Sequence, residues 1–212
     1  MSRKIIALAG RKGSGKDTAC DAIIEVAKRK GLRVVQLSFA APLKRAVAAM
    51  FLDHVVDPRD MAEALNGPSE KRDLRVAFGS TAFTVRHALQ TLGTEWGRKH
   101  LGPNVWVDLS LDLAQQFPDN TVVVITDARF KNEFRRVREE GGFVWLIDRP
   151  EPEEPAALTR ARRLRRWAQR HKSERSFYWP HAAKRHADVV IYNDQSLEAL
   201  KQRIANLALT HL

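Results

Sequence analysis

Apolar and polar positions alternate along the chain in blocks that change period. Ile5-Ile6-Ala7-Leu8-Ala9 is a short continuous apolar run, the pattern of a buried strand. From Lys16 to about Lys30 the apolar positions Cys20, Ile23, Ile24 and Ala27 recur at three- and four-residue steps, which predicts a helix with Gly31 as its stop. Val34 to Phe39 reads as a second strand. Thr121 to Thr126, with Val122-Val123-Val124-Ile125 inside it, is almost wholly apolar, as befits a strand of a parallel sheet covered on both faces. Phe143 to Ile147 and Val189 to Tyr192 supply two more strands. Helices are predicted over Asn132 to Glu140 and Ser196 to Thr210, the latter with Ser196 as N-cap. Strands alternating with helices imply right-handed crossovers, so the expected class is α/β with a doubly wound, parallel, five-stranded sheet.

Two stretches break the alternation: Leu43 to about Pro103, and Arg149 to about Pro180. Both read as insertions over the ligand edge of the sheet. Inside the first, Val85 to about Lys99 has Val85, Leu89, Leu92 and Trp96 along one helical face. Val105 to Leu113 fits a strand period and a helix period equally, and the crossover into the Thr121 strand decides for a helix. Pro150-Glu151-Pro152-Glu153-Glu154-Pro155 is linker-like and introduces the second insertion. The predicted organisation is one domain, 1–212, with a core of 1–42, 104–148 and 181–212 and insertions at 43–103 and 149–180.

Composition adds little to this and excludes some classes. With 212 residues, 44% of them hydrophobic, the chain can bury one substantial core. No apolar stretch approaches the ~20 residues of a membrane span and no signal-peptide layout opens the chain, so a cytoplasmic protein without membrane partners is expected. The single cysteine, Cys20, reads as a buried spectator thiol, and no structural metal is suggested. The net charge of +11 is concentrated: Arg160, Arg162, Arg163, Arg165, Arg166, Arg170, Lys172 and Arg175 face one acid, Glu174. Such a segment can be a solvated helix, a nucleic-acid contact or a lid closing on phosphates.

The loop after the first strand favours the lid. Gly10-Arg11-Lys12-Gly13-Ser14-Gly15-Lys16-Asp17-Thr18 has the spacing of a phosphate-binding P-loop, with strand before it and helix after it. Successive backbone N–H groups and the positive helix terminus converge there on an oligophosphate, and Lys16 adds a point charge on its β and γ groups. The last motif position is Asp17 instead of Ser or Thr, with a hydroxyl next at Thr18. Asp127 follows its apolar strand at the C-terminal edge of the sheet, a place to hold magnesium through water. A hydrolytic P-loop enzyme usually has a second carboxylate just beyond; here Ala128 and Arg129 follow, so the site reads as built for transfer to a bound acceptor. Arg129 brings a planar five-donor fork to the phosphates. Lys44 stands at the mouth of the first insertion. Arg86 and Gln90, four apart, share a helix face able to read a phosphate and a base edge together. Glu95, Trp96 and Arg98 follow, with Trp96 read as core in preference to a stacking platform and Trp106 open between the two.

The loop, Phe39 to Lys44, the run Gln90-Thr91-Leu92-Gly93-Thr94-Glu95-Trp96-Gly97-Arg98, the run Thr126-Asp127-Ala128-Arg129-Phe130-Lys131-Asn132-Glu133, and His171-Lys172-Ser173-Glu174 occur in order over most of the chain. Together they resemble the deoxynucleoside monophosphate kinases encoded by tailed bacteriophages. The resemblance implies a P-loop nucleoside-monophosphate-kinase fold in which 43–103 binds the acceptor and 149–180 is the lid. It further implies transfer of the γ-phosphate of ATP to a deoxynucleoside 5′-monophosphate, with magnesium (Mg2+). On that footing Gly10 to Thr18 hold ATP; Asp17, Thr18 and Asp127 hold the metal; and Asn193, with Asp194, forms the adenine-side turn. Lys44, Arg86, Gln90, Glu95, Trp96, Arg98, Trp106 and Arg129 serve the acceptor, and Arg160, Arg163 and Arg166 close over the reaction. Lys16, Asp127, Arg129 and Arg163 carry catalysis. Asn132 and Glu133, with Ser173 and Glu174, organise the lid and acceptor side. The resemblance carries no base specificity. It implies no stable nucleic-acid partner, a homodimer, and the cytoplasm, that of a host cell if the chain is phage-encoded. Two rivals share the loop: another small-molecule kinase such as a dephospho-coenzyme A kinase, and a nucleic-acid-binding P-loop ATPase.

Overall fold

The computed structural model describes residues 3–54, 57–67, 69–150 and 184–212. The predicted lid insertion therefore lies almost wholly outside the described residues. The chain divides into two compact units, Met1–Ser38 with Leu113–Leu212, and Phe39–Asp112.

The first unit is a five-stranded sheet ordered β2-β5-β1-β6-β7. Its strands are β1 (Lys4–Ala9), β2 (Arg33–Leu37), β5 (Thr121–Ala128), β6 (Phe143–Asp148) and β7 (Val189–Tyr192). Every pairing is parallel. All five are the strands predicted from apolar runs. Because side chains alternate across a strand, Ile6 and Leu8 of β1 share one face with Val122, Val124, Trp145 and Ile147. That face packs on α1 (Lys16–Arg29) and the last helix, α7 (Leu197–His211), through Cys20, Ile23, Val26, Leu200 and Ile204. Ile5, Ala7, Val123, Ile125, Val144 and Leu146 are buried on the opposite face, the side of α6 (Lys131–Glu139). Helices on both faces explain why the inner strands β1, β5 and β6 read as almost wholly apolar. Ser196 caps α7 as predicted, its hydroxyl accepting from Ala199 N at 3.2 Å.

The second unit is where the sequence pattern loses its regular alternation. It holds α2 (Ala41–Phe51), α3 (Pro58–Asn66), an antiparallel hairpin of β3 (Arg75–Phe78) and β4 (Thr81–Thr84), and α4 (Val85–Gln90). Val47, Met61, Leu65, Val76 and Val85 form its core, and Phe51 meets Phe83 edge-on at 4.9 Å between centroids. The expected helix from Val85 to Lys99 is α-helical only to Gln90, then continues as a π-helix over Thr91–Leu101. Two glycines and a tryptophan account for the change. The Trp106 indole N–H donates to Gly93 O at 2.8 Å, and a Cβ on Gly97 would lie 2.5 Å from Trp106 Cζ2. A ring wedged against the ladder favours the wider turn, and the bond from Gly102 N to Gly97 O, 3.2 Å, has the five-residue spacing. The Val105–Leu113 ambiguity resolves as helix, α5 (Val105–Gln115).

Candidate active site

The loop from Gly10 to Gly15 joins β1 to α1 and takes its shape from glycine. Gly10 has φ +146°, and a Cβ there would fall 2.6 Å from Ile147 O, so backbone passes backbone where no side chain fits. Gly15, at φ +101°, is the N-cap of α1 and provides no side-chain cap, so that residue leaves the first-turn amides available to a ligand. Asn193, just past β7, donates its side-chain N–H to Ser14 O at 2.9 Å. Its backbone N–H donates to Asp148 O at 2.8 Å, so the predicted adenine-side residue braces the loop from the end of the edge strand β7. The Ser14 hydroxyl is 2% exposed and has no hydrogen-bond partner among the described residues.

Lys16 turns back over the loop, its Nζ donating to Gly10 O at 2.9 Å and Arg11 O at 2.7 Å. Burial above all, then the neighbouring Arg129 guanidinium, push its ammonium down from 10.5 to about 8, against the pull of Asp17 and Asp127. A partly desolvated ammonium that also feels a second cation favours a bound anion. Asp127 stands at the end of β5 beside a register shift: the step from Ala7 to Ala9 on β1 is matched by Ile125 to Ala128 on β5. Such a bulge re-aims side chains at the strand end. The Asp127 carboxylate accepts from the Ser38 hydroxyl at 2.7 Å. Glu133, 2% exposed, accepts from Arg129 N at 2.5 Å and Phe130 N at 2.9 Å through one oxygen, Oε2. Burial raises the Cys20 thiol to about 11, which leaves it inert at neutral pH.

Three residues around the loop escaped the sequence reading. Arg149 Nη1 donates to Gly13 O at 3.0 Å while Arg11 Nη2 donates to Arg149 O at 2.8 Å, a reciprocal clasp. Ser38 holds Asp127. Arg203 on α7 donates to Asp194 Oδ1 at 2.8 Å and to Tyr192 O, fixing the turn after β7. Folding alone brings Arg149 to the loop, Ser38 to Asp127 and Arg203 to the turn after β7, and no local signal marks them.

Within the second unit, Arg86 and Gln90 share α4 as expected, and Arg86 already has a carboxylate partner. Its Nε meets Asp73 Oδ1 at 2.7 Å, and this pairing holds the Asp73 carboxyl below its usual range. Lys44 Nζ lies 3.4 Å from Asn66 Oδ1. Trp96 departs from the core reading, and Trp106, left open, resolves as core. Trp96, read as core, is 47% exposed on the π-helix beside exposed Glu95 and half-buried Arg98, while Trp106 is 7% exposed with its N–H satisfied inside the unit. Arg160, Arg163, Arg166, Ser173 and Glu174 lie outside the described residues.

The family model for deoxynucleotide monophosphate kinase matches residues 68–204, from Arg86 and the π-helix through Asp127–Glu133 to Asn193. The chain belongs to the deoxynucleotide monophosphate kinase family. A curated relative, a putative deoxynucleotide monophosphate kinase of Acanthamoeba polyphaga mimivirus, is 33% identical over 157 residues, 69% of this chain and 74% of that one. An uncharacterized protein, ORF76, of Ictalurid herpesvirus 1 (strain Auburn) is 31% identical over 150 residues, 70% of this chain, and the match spans 49% of its length. A solved structure, the dephospho-CoA kinase from Campylobacter jejuni, superposes with a TM-score of 0.50 over 98% of this chain and 96% of that chain at 15% identity, a likeness of fold. This member of the kinase family is thus a P-loop nucleotide kinase, a transferase with nucleotide substrates. Its P-loop lies before the matched segment and is carried by its own sequence and geometry. Among the described residues no helix is long and apolar enough to cross a membrane.

Proposed function

We propose that this kinase transfers the γ-phosphate of ATP to a deoxynucleoside 5′-monophosphate, giving the diphosphate for viral DNA precursor synthesis in the host cytoplasm. The observation that carries the reading is Lys16 at the N-terminus of α1, folded back onto the Gly10 and Arg11 carbonyls of the phosphate loop. In this reading the amides from Gly10 to Thr18 and the Lys16 ammonium hold the donor phosphates. Lys16 leaves the carbonyls of Gly10 and Arg11 for the β and γ oxygens. Arg129 neutralises charge on the transferred group, and Lys44, Arg86, Gln90, Glu95, Trp96 and Arg98 receive the acceptor. Exposed Trp96 suits a stacking contact and buried Trp106 a supporting one. Arg160, Arg163 and Arg166 of the 149–180 lid close over the reaction and exclude water.

Proton transfer needs no dedicated residue, because an acceptor phosphate oxygen is already an anion and catalysis is mainly positioning and charge stabilisation. Ala128 and Arg129, where a water-activating carboxylate would otherwise stand, support transfer over hydrolysis. The oxygen donors Asp17, Thr18 and Asp127 suit magnesium, which takes one or two carboxylates with phosphate and water oxygens, and the Ser38 hydroxyl fixes the Asp127 carboxylate for that use. When bound, the ion would supply charge neutralisation on the donor phosphates. The proposed enzyme acts as a homodimer without a stable nucleic-acid partner.

The test is ADP release by the purified chain with ATP and magnesium across the four deoxynucleoside monophosphates, with ribonucleotides and dephospho-coenzyme A in the same panel. Turnover that depends on a deoxynucleoside monophosphate is expected. Release only with dephospho-coenzyme A, or stimulated only by DNA or RNA, overturns the reading.

A further inference from the structure

Glu133 is a carboxylate 2% exposed in a chain whose other acidic residues among those described stay nearer to water. Burying an ionised acid is costly unless hydrogen bonds replace its hydration. Its neighbours explain how that cost is met and suggest why it is tolerated. The helices α3, α4 and α7 are capped conventionally, by Asp57, Thr84 and Ser196 accepting from a backbone N–H two or three residues on. In α6 the N-cap position is Phe130, which has no acceptor, and the carboxylate comes instead from the third helical position, reaching back. It accepts from Phe130 N and also from Arg129 N, one residue before the cap. A cap alone requires only the first of these bonds. The second one ties down the backbone of the residue that leaves β5 directly after Ala128.

We infer that Glu133 is a positioning residue for Arg129: its buried carboxylate clamps the Arg129–Phe130 backbone so that the guanidinium stays at the phosphate loop. The inference rests on the function proposed above and refines it, since it gives the Asp-x-Arg-Phe-x-Asn-Glu run a physical reason. Asp127 and Arg129 are the residues assigned above to the metal and the transferred phosphate, and Glu133, six residues past Asp127, holds the peptide between them and α6 in place. A long arginine side chain has several rotamers, and fixing its backbone restricts the set that reaches the site.

The test is a double-mutant cycle on the full chain, reading kcat and KM for both substrates together with the thermal midpoint. Glu133→Ala removes both hydrogen bonds. Glu133→Asp keeps the charge at the helix N-terminus but draws the oxygen back by one methylene, so it serves if the alanine variant does not fold. Either variant is expected to lower kcat at least tenfold with KM for ATP nearly unchanged, and to add little to the loss already caused by Arg129→Ala. Losses that multiply with Arg129→Ala, or a Glu133→Asp enzyme with wild-type kcat, overturn the inference. A wild-type chain inactive with every deoxynucleoside monophosphate overturns the proposed function instead, so the two failures are distinct.

Discussion

Lys16 shows at the scale of one residue how the ligand is written into the structure. Its ammonium is largely buried with Arg129 nearby, so its proton is held less tightly than in water even though two carbonyls of its own loop accept from it. With a folded pKa of about 8 against 10.5, the folded chain has lost this proton between those pH values while the unfolded chain keeps it. The unfolded state then binds more protons, and the contribution of Lys16 to stability is a penalty below about pH 8 that is relieved as pH rises toward 10.5. Phosphate has the opposite preference, for the charged ammonium. Nucleotide binding above pH 8 should therefore take up a proton and weaken by up to about tenfold per pH unit, measurable by calorimetry in buffers of different ionisation enthalpy. Binding at pH 9 without proton uptake would show that Lys16 does not meet the phosphates. Lys16→Ala should likewise abolish turnover and leave the thermal midpoint at or above that of the wild type, because a desolvated charge is removed. The loop and Asp127 were legible in the sequence because glycine, lysine and a strand-end acid act where they stand. Ser38, Arg149 and the clamp of Glu133 were not, since their roles depend on how the folded backbone brings groups together.

The element that most changed the picture is the π-helix. A stripe drawn for a single α-helix from Val85 to Lys99 puts Trp96 with Val85, Leu89 and Leu92, yet the wider turn after Gln90 alters the phase and brings Trp96 to the surface. Gly93 and Gly97 were visible as residues, but their role depends on the Trp106 ring, which arrives from α5. Gly97→Ala tests that role. The added methyl would lie 2.5 Å from Trp106 Cζ2, so overpacking should destabilise the protein by about 1–3 kcal/mol in chemical denaturation. The emission of the tryptophans should shift with it as Trp106 loses its seat. A fully stable Gly97→Ala protein would remove steric need as the reason for the glycine. The strands β1, β5 and β6, by contrast, were readable because burial on both faces makes them almost uniformly apolar, a signal that needs no phase.

For the molecule as a whole, the parallel class of the sheet followed from the alternation of elements, whereas the order β2-β5-β1-β6-β7 is a property of pairing that no single segment encodes. Charge is the other global property, and +11 must be used somewhere. Among the named candidates Arg160, Arg163 and Arg166 fall in the densest basic segment, and a lid and a nucleic-acid contact demand opposite results from them. If they close on the transferred phosphate, replacing all three with glutamine should lower turnover with deoxynucleoside monophosphates at least tenfold, about 1.4 kcal/mol of transition-state stabilisation. The wild-type protein should then bind DNA only weakly, with an affinity that collapses by physiological salt as counterions compete. If they grip nucleic acid, the same variant keeps its kinase turnover and loses a DNA or RNA affinity that persists at that salt. The two measurements on one variant decide between the readings, because retained turnover and lost nucleic-acid binding cannot both be reconciled with a lid.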